Sequence, residues 1–182
     1  MKKLVSIVLV SLAAPLLRAE FSAGLARLDI TPPLGLPMPG HFHKRIADGV
    51  LDPLCVECIA VSDGTNDALI YSVDDLQLPG PFFEKAFPAI TAATGVPRDR
   101  IYVHSTHTHT GVSSMLGEKV APENQPIVAH TELRITKLVD AGRAALSNRA
   151  PATIAIGQTE CKGISFIRRY RMKDGSVRTN PG

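Results

Sequence analysis

Residues 81–105, PFFEKAFPAITAATGVPRDRIYVHS, run from a proline through a helical pattern to a glycine and then into a β-branched segment, and that order decides the fold class. Pro81 suits the first turn of a helix, where its missing N–H is no loss. Phe83, Ala86, Phe87 and Ile90 recur at helical spacing and predict one buried face up to Thr94. Gly95 ends the helix, and Ile101, Tyr102 and Val103 predict a strand within Arg98–Ser105. Upstream, residues 54–62 and 68–74 are apolar runs joined by Asp63-Gly64-Thr65-Asn66, the chemistry of a hairpin turn that needs positive φ. Residues 23–30, AGLARLDI, alternate in polarity and read as a first strand, closed by Thr31-Pro32-Pro33. Downstream, residues 126–147 predict a long helix, with Ile127, Leu138, Ala141 and Ala145 on one side and Glu132, Lys137 and Arg143 toward water. Ala152–Thr159 reads as a further strand and Ile164–Tyr170 as extended chain. Strands alternating with two long helices predict an α/β fold, a mixed β-sheet covered by long helices.

Two irregular segments interrupt this order. Pro32–Pro53 is rich in Gly and Pro and carries His41 and His43, and a second polar loop runs from Thr106 to about Asn124. Loops of that length inside a compact domain are mobile or line a site. Asp29 is expected to hold the turn at Thr31 through its carboxylate, and Gly40 to let backbone approach a neighbour closely. The closing KDGSVRTNPG has turn chemistry at Asp174-Gly175 and at Asn180-Pro181-Gly182 with no element after it, the pattern of a chain cut within a larger domain or of a disordered tail.

The first residues, MKKLVSIVLVSLAAPLLRAEF, place two lysines before an apolar run and a small residue, Ala19, after it. That is the layout of a secretory signal peptide over residues 1–19, too short in its apolar part to remain as a membrane span, and it predicts an exported protein, periplasmic or secreted. Without Lys2, Lys3 and Arg18 the basic count falls from 20 to 17 and equals the 17 acidic residues. The charge balance therefore gives no argument for nucleic-acid binding, and no later segment predicts a stable membrane span. Cys55 and Cys58 form a lone C-x2-C with Cys161 far away, short of the second ligand pair that marks zinc sites. A strand would turn Cys55 and Cys58 to opposite faces, and burial of all three thiols is the expectation, with a bridge from Cys161 to Cys55 or Cys58 as the alternative.

The stretch HSTHTHTG, residues 104–111, holds three of the six histidines, His104, His107 and His109. A strand ending near Ser105 delivers them to the C-terminal edge of an α/β sheet, where sites in open sheets gather. In extended backbone His107 and His109 share a direction, so one ring can bind zinc while the other contacts a reacting oxygen. His104 and His130 read instead as surface or carbonyl-paired histidines. A catalytic zinc site takes three protein ligands plus water, and His41, His43, Asp74 and Asp75 are the groups in this chain that could complete one. Neither a G-x-S-x-G elbow nor a phosphate-binding glycine motif is present, which speaks against serine nucleophiles and nucleotide chemistry.

AGLARLDITPPLGLPMPG at 23–40, DPLCVECIAVSDG at 52–64, ATGVPRDRIYVHSTHTHTG at 93–111 and FIRRYRMKDGSVRTNPG at 166–182 together resemble the N-terminal part of the neutral/alkaline, non-lysosomal ceramidase family. The resemblance implies that residues 20–182 are the N-terminal portion of a larger catalytic domain, a zinc hydrolase that cleaves the N-acyl amide of ceramide to a fatty acid and a sphingoid base. It makes His107 the zinc ligand and His109 a catalytic residue that contacts substrate and oxyanion. It makes Arg168 substrate-binding, with Arg169 as the alternative register, although Ile167 stands where the family's motif has asparagine. The remaining zinc ligands, a histidine, a glutamate and a tyrosine, lie farther along the family's longer chain. Two other functions compete: a noncatalytic ligand-binding or assembly module on the same scaffold, and a hydrolase of nonlipid substrates.

Overall fold

The computed structural model describes residues 20–116, 120–164 and 167–180; the predicted leader and the closing Pro181-Gly182 lie outside them. In chain order the elements are β1 (Ser22–Asp29), β2 (Pro37–Met38), β3 (Arg45–Ile46), β4 (Cys55–Ser62), β5 (Asp67–Val73), α1 (Gly80–Thr94), β6 (Ile101–Ser105), α2 (Gln125–Ser147), β7 (Ala150–Pro151), β8 (Arg169–Arg171) and β9 (Val177–Thr179). The main sheet has the order β6-β5-β4-β1-β7. β4 and β5 form the expected antiparallel hairpin, with Gly64 at φ +84° in its turn, whereas β6 returns through α1 to lie parallel to β5. A parallel neighbour requires such a crossover, so the sheet is mixed as the helix-then-strand order predicts.

Alternation along the strands sorts the two faces. The transverse row Ala26, Cys58, Tyr71 and Val103 faces the helices, while the next row, Leu25, Ile59, Ile70 and Tyr102, lies on the exposed face. Phe82, Ala86 and Ile90 of α1 and Leu138, Ala141 and Ala145 of α2 close over the inner face. Each large apolar side chain so buried contributes about 1.5–3 kcal/mol. The sheet leaves α2 little room: a Cβ at Gly24 would stand 2.1 Å from the Ala145 carbonyl oxygen, and one at Gly142 would stand 2.1 Å from the Tyr71 hydroxyl. Absence of a side chain at these two positions sets how deeply the helix seats.

Several local expectations need correction. The fully buried face of α1 is Phe82, Ala86 and Ile90; Phe83 and Phe87 stack on each other at 5.2 Å on the helix flank, with the Arg98 guanidinium 3.3 Å over the Phe87 ring. A cation over an aromatic face makes such a flank position acceptable at the edge of the core. The run Ala152–Thr159 is not a strand: Ala152 N–H reaches Phe21 O, and no strand pairing continues beyond it among the described residues. The loop predicted for Pro32–Pro53 contains the small β2–β3 ribbon, tied at its base by paired bonds between Gly35, Leu36 and Ala47. Cys161 is exposed rather than buried and no cysteine is bridged, while burial pushes the Cys58 thiol up to about 12.

His130 of α2 is buried and donates its Nε2–H to the Ile30 carbonyl at 2.8 Å, the carbonyl-paired role expected of it. Burial, with nearby Arg134, lowers its pKa from the ordinary histidine value. A base held neutral in the fold but free to protonate when unfolded gives stability that is complete above the unfolded pKa and lost as pH falls below about 6.5. His130→Gln keeps a neutral donor for Ile30. It is expected to flatten the acid side of the stability profile, measured by urea denaturation between pH 7 and pH 5; an unchanged slope would show that His130 does not set it.

Candidate functional site

β5 and β6 are parallel, so the segments that follow them leave the sheet at the same edge. Asp74 ties that edge together: its Oδ2 accepts from Cys55 N–H at 2.9 Å and its Oδ1 from the Thr106 hydroxyl at 3.1 Å. Thr106 N–H still pairs with Val73 O, but the strand stops at Ser105, and His107 has a left-handed backbone with φ 63°. His107 and His109 therefore do not project from an extended strand as expected. Two residues of strand would separate their Cβ atoms by about 6.5–7 Å; here the turn brings the ring centroids to 5.1 Å, nearly perpendicular at 76°.

Both rings are oriented by backbone oxygen. His107 Nδ1 lies 2.9 Å from Leu76 O, and His109 Nδ1 lies 2.8 Å from Gly40 O. A carbonyl only accepts, so each Nδ1 carries the proton and each Nε2 keeps its lone pair. Gly40 is required for this approach. It sits at φ +89°, and a Cβ there would fall 2.3 Å from His109 Nδ1.

Three of the four groups expected to complete a metal site are otherwise engaged. Asp74 holds the strand ends, and Asp75 is wholly buried against Arg134. The Arg45 guanidinium donates to His41 Nε2 at 2.7 Å, so that lone pair is occupied although the ring lies 5.6 Å from that of His109; His43 stands behind it at 6.1 Å. Among the described residues no group of three or more His, Cys, Asp or Glu side chains is placed to hold a metal ion. His107 fits zinc as a single ligand, with a fixed tautomer and a free Nε2, and the described residues do not supply the rest of a set. Beside Thr108 and Thr110 opens a cavity of about 690 Å³ walled in part by Leu34, Met38, Val50 and Leu54 and reaching Asp74.

His104 is exposed beside Tyr102 on the open sheet face. Arg168 is exposed next to the β8–β9 ribbon, where its carbonyl accepts from Asn180 N–H, and no hydrogen bond or ion pair joins it to the histidines among the described residues. Asp29 does hold its turn, accepting from Thr31 N–H at 2.7 Å, and the Thr31 hydroxyl together with that N–H lowers its pKa.

The sequence reading missed Arg134. It is 1 % exposed on the inner face of α2 and pairs with Asp75, which is 0 % exposed. Its Nη atoms also donate to Val112 O and Ser113 O at 3.3 Å and to the Thr131 hydroxyl at 3.2 Å. Burial raises the Asp75 carboxyl above its ordinary range, against the pull of Arg134. The available signal was an arginine four residues before Leu138 and seven after Ile127, on the apolar stripe of its own helix.

No protein-family model matches the chain, and no curated protein matches it in sequence. Among solved structures it is similar to the neutral ceramidase from Pseudomonas aeruginosa, with a TM-score of 0.59 and 16% identity over 73% of this chain and 22% of that one. It is likewise similar to a ceramidase complexed with C2, with a TM-score of 0.59 and 15% identity over the same shares. The chain thus spans 22% of the length of these solved chains. At such identities the shared property is the fold, and the fold implied by the resemblance is the one observed.

Proposed function

We propose that this chain carries part of the active site of an exported, zinc-dependent amidohydrolase that cleaves the N-acyl amide of ceramide or a related lipid into a fatty acid and a sphingoid base. The observation that carries the reading is the pair His107 and His109 at the sheet edge, each donating Nδ1–H to a backbone carbonyl and leaving Nε2 free. His107 Nε2 would hold zinc, and the remaining ligands come from outside the described residues. Bound zinc would polarise the amide carbonyl and acidify a water. His109, whose Nδ1–H is held by Gly40 O, would accept at Nε2 the proton released by the attacking water and donate it there toward the oxygen that gains charge. Arg168 offers a planar pair of donors to a carboxylate or polar head group. The cavity beside Thr108, walled by Leu34, Met38 and Val50 and also by Arg45, Asp48 and Asp52, supports a substrate that joins an apolar chain to a polar head.

The test uses the complete product of the encoding gene, recovered from periplasm or medium with Glu20 at its N-terminus. We expect stoichiometric zinc, lost in His107→Ala together with more than about 100-fold of the turnover of an N-acyl sphingoid amide, beyond the loss an outer ligand partner causes. His109→Ala keeps the zinc and loses about 10²–10⁴-fold in turnover. A second reading is a noncatalytic binding module on the same scaffold. A zinc-free protein indifferent to His107→Ala would establish that reading and end the first.

A further inference from the structure

A charged pair buried as deeply as Arg134 and Asp75 is poor evidence of stabilisation, because apolar residues of similar volume often serve the fold as well or better. Its contacts point elsewhere. From one position on α2 the guanidinium reaches Asp75 in the segment after β5 and Val112 O and Ser113 O in the segment after β6. Ser114 donates to the same Asp75 oxygen at 3.2 Å, and Met115 N–H bonds Thr131 at 3.0 Å. His107 belongs to the second of these segments, and its ring reaches across to the first. The residue next to Asp75 is Leu76, whose carbonyl orients the His107 ring. His107 also holds a left-handed φ, which a non-glycine residue keeps only where its surroundings over-determine it. Among the described residues Arg134 Nε is buried without a partner, so the side chain leaves one donor unpaired in the arrangement that places its other nitrogens.

We infer that Arg134 is a positioning residue for His107: acting through Asp75, it fixes the Leu76 carbonyl that selects the His107 tautomer and aims its Nε2. The functional meaning rests on the zinc reading above; the coupling itself does not. His109 provides an internal reference, because its ring is held by Gly40 from the β2–β3 loop and Arg134 makes no hydrogen bond to that loop.

The experiment follows the ring nitrogens of both histidines by ¹⁵N NMR in the complete, metal-free protein, for the parent, for the double variant Arg134→Leu/Asp75→Leu and for Arg134→Lys. With cooperative melting retained, the double variant is expected to change His107 from a single Nδ1–H tautomer to a mixture while His109 stays as it is, and to weaken zinc binding about 10–100-fold. If the double variant does not melt cooperatively, Arg134→Lys decides, since lysine keeps a charge opposite Asp75 but cannot span the two loops. An unmoved His107, or His107 and His109 moving together, overturns the inference. A parent that binds no zinc would remove the metal reading and leave the tautomer result to decide the coupling.

Discussion

Alanine at position 134 is expected to lower stability by about 3–5 kcal/mol, the loss typical of removing one partner from a buried pair. The reason is the carboxylate left behind: Asp75 is fully buried, and the Arg134 charge is what draws its pKa back down. Without that charge the folded-state pKa of Asp75 rises further above its unfolded value. A carboxyl with a raised folded pKa favours the folded state when protonated, and that contribution is lost as pH rises through the folded pKa. Arg134→Ala should therefore be penalised more at pH 7 than at pH 5, and Arg134→Leu/Asp75→Leu should recover most of the loss. Urea denaturation of parent and variants at both pH values measures this. A penalty below about 1 kcal/mol, the range of exposed pairs, or one equal at the two pH values, would refute the buried-charge account.

The second large effect is at Gly24. A methyl group there meets the Ala145 carbonyl oxygen at 2.1 Å, Arg149 N at 2.8 Å and the Asn148 carbonyl carbon at 2.9 Å, all of them backbone. Backbone cannot swing aside as a flexible side chain can, so α2 must lift from β1, and the Asn148 side-chain bond to Leu25 O is strained with it. Gly24→Ala should cost about 3 kcal/mol, which at this chain length lowers Tm by roughly 6–12 °C. Gly157→Ala is the control, because nothing lies within 4 Å of its added carbon. Similar melting temperatures for the two variants would show that the helix is not seated where the sheet contacts place it.

The positions that were legible in sequence are those where one period dominates. The β4–β5 hairpin, β6 and α2 follow their apolar spacing because each buries a face against a partner already present. Ala152–Thr159 has strand chemistry but no neighbour among the described residues, so spacing alone misled. The α1 face was misassigned because Phe83 and Phe87 satisfy each other and Arg98, leaving Phe82 for the core. At the site, position was legible and geometry was not. Residues 104–109 do emerge at the sheet edge, but strand alternation could not anticipate the left-handed turn at His107, or carbonyls of residues 40 and 76 as the groups that orient the rings. Asp74 and Asp75 read as candidate ligands because carboxylates can bind zinc; one ties strand ends and the other neutralises an arginine.

The sheet also has an order in time. β1 pairs on one side with β4, close behind it in the chain, and on the other with β7. At a synthesis rate of about 5–20 residues per second, the roughly 130 residues between Ala23 and its partner Ala150 take on the order of 6–25 s to appear. Until β4 is complete the oldest strand has no neighbour, and until α2 is made, just ahead of β7, it has β4 alone and no roof, so the nascent chain must keep it from mispairing until the youngest part of the sheet is made.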